Sequence, residues 1–228
     1  MNRRPLKKPF RWLVLACAVI EKEICQFQNG QVEFKYFDYG LHRTPENMTK
    51  ALQSEIDQAE EGNYKGIIIG YGLCSNGIVG LHSRKHRLVI PRIHDCIALF
   101  MGSPEAYRVQ SAENPGTYYL TPGWIEKGQT PLSKFKSYAQ SYDVETAKWV
   151  LHEEMKHYTR IALIDTGVYP MEPYRAVAKE NADFLGVTYE ELQGSSQLFR
   201  ELICGPREGN FLILEKGQSV QQEMFLDL

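Results

Sequence analysis

An open, doubly wound and mostly parallel α/β sheet, Rossmann-like and with a lid-like middle segment, is the fold class that this sequence predicts. Three observations carry that expectation. The runs Trp12–Ala18 and Gly66–Ile69, and again the stretch 160–167, are apolar without alternation, as strands buried on both faces are. Between the first two, Met48, Leu52, Ile56 and Ala59 recur at helical spacing. Directly after Ile69 comes Gly70-Tyr71-Gly72-Leu73-Cys74-Ser75-Asn76-Gly77-Ile78-Val79-Gly80, a loop able to bring backbone close to a ligand at the carboxyl end of a strand.

In order along the chain, Trp12–Ala18 is expected as a central strand, followed by a short helix over 21–27. Asn29-Gly30 breaks the chain, and the alternating Val32–Phe37 reads as an edge strand. Thr44-Pro45-Glu46 has the chemistry of a helix start: a hydroxyl N-cap, proline at the first position and an acid in the first turn. That helix ends near Gly62. Arg87–Pro91 is a further strand, and a helix beginning at Asp95 follows it. Residues 103–137 are expected as an insertion or lid around the extended run at 115–124. A long helix over 138–157, a strand at 160–167, a helix over Pro173–Leu185 closed by Gly186, a strand at 187–192, a helix at 198–203 and a last strand Phe211–Leu214 complete the chain. One α/β domain over 1–228, with a basic tail over 1–11, is the expected organisation. Right-handed crossovers then bring Cys17, His42, Cys74 and Cys96 to one rim of the sheet.

Composition narrows the function classes. The 228 residues are 43% hydrophobic and carry a net charge of −2 with both signs interspersed, which argues against a nucleic-acid partner. The apolar stretch after Arg11 is about nine residues, at the low end for a secretory signal and too short to cross a membrane. No other segment has the length, so no membrane association and a cytoplasmic location are expected. Five cysteines (17, 25, 74, 96 and 204), widely spaced and without a Cys-x-x-Cys pair, do not form a disulfide framework in a reducing compartment. They are buried structural thiols, a nucleophile or metal ligands. There is no phosphate-binding Gly-x-x-x-x-Gly-Lys loop, no Gly-x-Ser-x-Gly elbow and no third glycine for a dinucleotide fingerprint. Asp165-Thr166-Gly167 has the residues of an aspartic-protease triplet in the wrong fold context.

Cys17 and Cys74 follow strands, and Cys96 stands near a helix start, where the helix dipole favours a thiolate. His42, in the loop after the second strand, and His94 are candidate fourth ligands or proton carriers, and Asp95 is a further catalytic candidate. Gly72, Ser75, Asn76 and Gly77 are candidate contacts to a bound cofactor. His82 and His86 flank a basic loop expected to be exposed; His152 and His157 read as helix surface. Cys25 and Cys204 read as structural.

Taken together, Cys17 after the first strand, Leu41-His42-x-x-Pro45, Gly72-x-Cys74-x-x-Gly77, Cys96 followed by aliphatics with Phe100 and Gly102, and Pro115–Thr121 resemble the domain-of-unknown-function family numbered 1638, over at least residues 12–170. That family occurs in methanogens and in other bacteria and archaea, in some genomes beside corrinoid-dependent methyltransferases. The resemblance implies that Cys17, His42, Cys74 and Cys96 belong to one constellation. Leu73 and Ser75-Asn76 depart from the acidic and smaller residues frequent there. Three readings follow. The first is a three-cysteine site, with His42 or an external ligand, for zinc or an iron–sulfur cluster acting on a small molecule in one-carbon or corrinoid methyl metabolism. The second is a metal-free cysteine enzyme using Cys74 or Cys96 with His42 or His94. The third is a non-catalytic accessory to a corrinoid methyltransferase protein.

Overall fold

Strands form where the apolar runs are long enough to be covered on both faces, and helices where a cap meets a periodic stripe. The computed structural model describes residues 11–207 and 209–226. Its elements are β1 (Arg11–Cys17), α1 (Glu21–Cys25), β2 (Val32–Phe37), α2 (Pro45–Ala59), β3 (Tyr64–Gly70), β4 (Leu88–Pro91), α3 (Ile97–Met101), α4 (Pro104–Glu113), β5 (Thr117–Leu120), α5 (Pro122–Lys127), α6 (Pro131–Ser141), α7 (Val144–Met155), β6 (Arg160–Asp165), α8 (Glu172–Leu185), β7 (Thr188–Gln193), α9 (Gln197–Cys204) and β8 (Phe211–Leu214). Short 3-10 turns cover Ala18–Ile20, Tyr39–Arg43 and Gln222–Phe225. Among the described residues no helix is long and apolar enough to cross a membrane. The basic tail expected over 1–11 lies, except for Arg11, outside the described residues.

Contacts gather the chain into two compact units: the residues up to Cys96 together with Arg200 onward, and Ile97–Phe199. The first unit holds a five-stranded sheet in the order β2-β1-β3-β4-β8. Its first four strands are parallel, and β8 pairs antiparallel with β4. From β1 the chain runs outward to β2 on one side and to β3 and β4 on the other. The strand order therefore reverses between β1 and β3, and the carboxyl ends of β1 and β3 flank that reversal. One face of the sheet, with Leu13, Leu15, Ile67, Ile69 and Tyr71, packs on the α2 stripe of Met48, Leu52, Ile56 and Ala59. Thr44 stands at the N-cap of α2 but its hydroxyl makes no cap bond; Pro45 begins the helix as expected.

The connection from β3 to β4 is pinned to the end of α2. Glu60, 5% exposed, accepts the Arg84 N–H at 2.8 Å and its guanidinium Nε at 3.0 Å. His86, expected in an exposed loop, is instead buried, with Nε2 3.1 Å from the Ala59 carbonyl oxygen. His82 is exposed. The difference arises because the loop folds back on a helix end whose carbonyls need partners.

The second unit has its own parallel sheet, β5-β6-β7. Residues 103–137, expected as a lid, supply α4, β5, α5 and α6 to it, and β5 pairs with β6 through four residues from Thr117↔Arg160 to Leu120↔Leu163. The expected long helix over 138–157 is two helices, because Asp143 caps the second by accepting the N–H groups of Glu145 and Thr146. Buried Asn181 ties the unit together: its Oδ1 accepts the Leu132 N–H at 2.8 Å, and its amide donates to the Val177 carbonyl. Gly186 closes α8 in the left-handed conformation, φ +69, as predicted.

Candidate functional site

The carboxyl edge of the first sheet gathers the chemistry. Cys17 is the last residue of β1 and pairs in register with Phe37 of β2. On the other side of β1 the register ends Ala16↔Gly70, so Cys17 and Tyr71 continue it side by side, on the face shared by Leu13, Leu15, Ile67 and Ile69. Cys17 and Cys74 both pack against that same core.

After β3 the chain does not turn straight into a helix. The Leu73 N–H donates to the Ile93 carbonyl at 2.9 Å and the Cys74 N–H to the His94 carbonyl at 2.8 Å, which lashes this loop to the segment leaving β4. Cys96 lies at the end of that segment. Cys74, Ser75 and Asn76 are then successively left-handed, φ +45, +56 and +67, and the Gly77 N–H closes the turn on the Cys74 carbonyl at 3.1 Å. Asparagine tolerates this region, whereas Cys74 and Ser75 each cost about 1 kcal/mol there. The left-handed turn holds Cys74 against the core of the first unit and the segment leaving β4 instead of letting the strand run on.

Each thiol is partly buried and unpaired by disulfide. Burial pushes Cys17 up to about 11, with the Asp38 carboxylate adding to the rise and the Val19 N–H opposing it. Burial, then Asp95, pushes Cys74 up to about 12, and Cys17 adds to it. Burial raises Cys96 well above the ordinary thiol range, followed by Cys74, Asp95 and Cys17. The three thiols thus lie within electrostatic reach of one another, with carboxylates on both flanks. Tyr71 shares this neighbourhood: burial and then Cys17, Cys74, Cys96 and Asp38 hold its phenol far above its usual range. It is 4% exposed and its hydroxyl has no hydrogen-bond partner among the described residues.

The other sequence candidates fall as follows. Asp95 is partly buried and acts on Cys74 and Cys96. His94 is exposed and contributes its backbone carbonyl. His42 sits in the 3-10 turn after β2, its ring 6.4 Å from that of Tyr39 and tilted to it. Ser75 and Asn76 are exposed on the left-handed turn, while Gly72 and Gly77 are buried. Protein fills the space beside both glycines: a β-carbon on Gly72 would lie 2.8 Å from the Ile93 carbonyl oxygen, and one on Gly77 2.8 Å from the Met48 sulfur. Cys25 bonds the Tyr36 hydroxyl at 3.0 Å, and Cys204 is exposed. Sequence reasoning missed Asp38 and Tyr71; the signal for both was their place directly after a strand, level with Cys17.

As they stand, no three or more His, Cys, Asp or Glu side chains among the described residues are arranged to hold a metal ion. The donor chemistry nonetheless fits a soft cation. Three partly buried thiols share one sheet edge, and thiolate is the donor type that suits such a cation.

A consequence can be measured on the metal-free protein. A thiol raised above its ordinary 9.0 ionises first in the unfolded chain, so its contribution to stability is level below about pH 9 and falls as pH rises toward 11–12. Denaturant midpoints are expected to drop over that window, and alkylation of Cys17 and Cys74 at neutral pH to be slower than that of exposed Cys204. Fast neutral-pH alkylation at either would contradict it.

The family model described as a protein of unknown function, DUF1638, matches residues 36–203. The chain belongs to the DUF1638 family. Within this DUF1638 protein the match takes in His42, Cys74 and Cys96; Cys17 precedes it and joins them through the pairing of β1 with β3. Neither the curated proteins nor the solved structures contain a match.

Proposed function

We propose that this DUF1638 protein binds a thiophilic metal centre through Cys17, Cys74 and Cys96, with His42 or an external ligand in the remaining position, and that a small molecule is its ligand there. One observation carries the reading: the three thiols stand at the end of β1 and in the segments that follow β3 and β4, three adjacent parallel strands, beside the reversal of strand order, where open α/β sheets bind ligands. Ionising three thiols between Asp38 and Asp95 is unfavourable without a cation, and a bound metal would offset that cost as it displaced their protons. Three thiolates with an open position suit an iron–sulfur cluster, and three thiolates with His42 suit tetrahedral zinc. When bound, such a centre supplies an electron-rich, thiolate-ligated site with an exchangeable position. The chain's own part is to hold three sulfurs at one sheet edge, each partly buried. One-carbon or corrinoid methyl chemistry as the setting rests on the family resemblance and not on the fold.

A metal-free nucleophilic cysteine is the weaker reading, since burial and neighbouring carboxylates hold all three thiols in the protonated form. The test is elemental analysis and an ultraviolet–visible spectrum of protein purified without oxygen. Bound iron and sulfide with a brown colour, or stoichiometric zinc, is the expected result. Colourless protein that contains no metal, and takes none up on anaerobic reconstitution, would overturn the proposal.

A further inference from the structure

Tyr71 is the one side chain at this edge whose polar atom is buried and left without a hydrogen-bond partner among the described residues. A buried hydroxyl with no partner is destabilising, by far more than a hydroxyl exchanged for a plain ring. Its neighbours account for the arrangement. Tyr71 continues the register beside Cys17, on the same sheet face, and Cys17, Cys74, Cys96 and Asp38 all act on it electrostatically. A protonated thiol is a weak acceptor, whereas a thiolate or sulfide is a strong, charged one. The sheet edge thus buries an unpartnered donor beside Cys17, whose sulfur becomes a strong acceptor only as a thiolate.

We infer that Tyr71 is a positioning residue of the thiol centre: its hydroxyl donates a hydrogen bond to an anionic sulfur there once metal is bound. This rests on the three-thiolate reading above. When the centre loads, each cysteine releases its proton to solvent as its sulfur takes the metal, and the phenol keeps its own proton to donate. Hydrogen bonds to sulfur are among the terms that set a cluster's potential and retention, so Tyr71 bears on both.

The same conservative change gives opposite signs in the two states, which separates this role from a packing role. In metal-free protein Tyr71→Phe is expected to leave the melting temperature unchanged or raise it. Tyr36→Phe, which removes a hydroxyl that is bonded to Cys25, is expected to lower it. Wild type and Tyr71→Phe are then loaded anaerobically with ferrous iron and sulfide, and in parallel with zinc. Loss of the load to a chelator is expected to be about tenfold faster for Tyr71→Phe, and an iron–sulfur load to have a lower reduction potential than in wild type. A metal-free Tyr71→Phe that melts lower would show that the hydroxyl has a partner within the fold, and would overturn the inference. So would equal retention and equal potential in a wild type that does load. A wild type that takes up neither iron with sulfide nor zinc would overturn the three-thiolate reading itself, and the inference with it.

Discussion

Gly72→Ala is expected to destabilise the first unit by about 3–5 kcal/mol and to abolish metal uptake. The new β-carbon would lie 2.8 Å from the Ile93 carbonyl oxygen, 2.9 Å from Ile93 Cγ1 and 3.2 Å from the Asp95 α-carbon. Two of those three atoms are backbone and cannot swing aside. Relief comes only by moving residues 72–74 away from 93–95, which breaks the Leu73–Ile93 and Cys74–His94 hydrogen bonds. Overpacking costs about 1–3 kcal/mol and each lost bond about 1 kcal/mol, which is how the range is reached. Against a total stability of about 5–15 kcal/mol the change is large. The functional part follows from the same contact, since those two bonds hold the Cys74 loop against the segment that carries Asp95 and Cys96. Equilibrium denaturation and metal stoichiometry measure the two effects. Gly30→Ala is the control, because nothing lies within 4 Å of a β-carbon there. A Gly72→Ala protein that is as stable as Gly30→Ala and loads normally would show that the two segments are not interlocked.

Cys17→Ser, Cys74→Ser and Cys96→Ser are each expected to lower metal affinity by more than about 100-fold, the upper end of what losing a mere supporting contact costs. A serine hydroxyl is close in size to a thiol, so folding is disturbed little. Its oxygen does not ionise near neutral pH and is a poor ligand for a soft metal. The three are alike in this although they come from different places in the chain, because each supplies one corner. Cys25→Ser and Cys204→Ser are expected to retain the metal: Cys25 is engaged with Tyr36, and Cys204 is exposed at the end of α9. Metal analysis of all five variants reads this directly. Retention in Cys17→Ser alone would reduce the centre to Cys74 and Cys96, both of which lie inside the residues that the family model matches.

Much of the fold was legible along the chain because its signals are local. Unbroken apolar runs mark β1 and β3, the Pro45 start and 48-52-56-59 stripe mark α2, and Gly186 ends α8; each depends on residues within a few turns of one another. Even the split between α6 and α7 had a local sign, Asp143, outweighed by the helical spacing of aromatic residues around it. Cys17 and Cys74 were legible as strand-end thiols for the same reason and Cys96 as a thiol near a helix start, and the handedness of crossovers put all three on one rim. The tie between their loops was not legible, since it depends on two hydrogen bonds between segments about twenty residues apart. The second sheet was also out of reach: whether β5 and β6 extend one sheet or begin another is decided by pairing, and pairing leaves no mark in spacing. Tyr71 is the clearest case. Its sequence context is that of any aromatic residue after a strand; that its hydroxyl is buried with no hydrogen-bond partner among the described residues is a property of the packed edge alone.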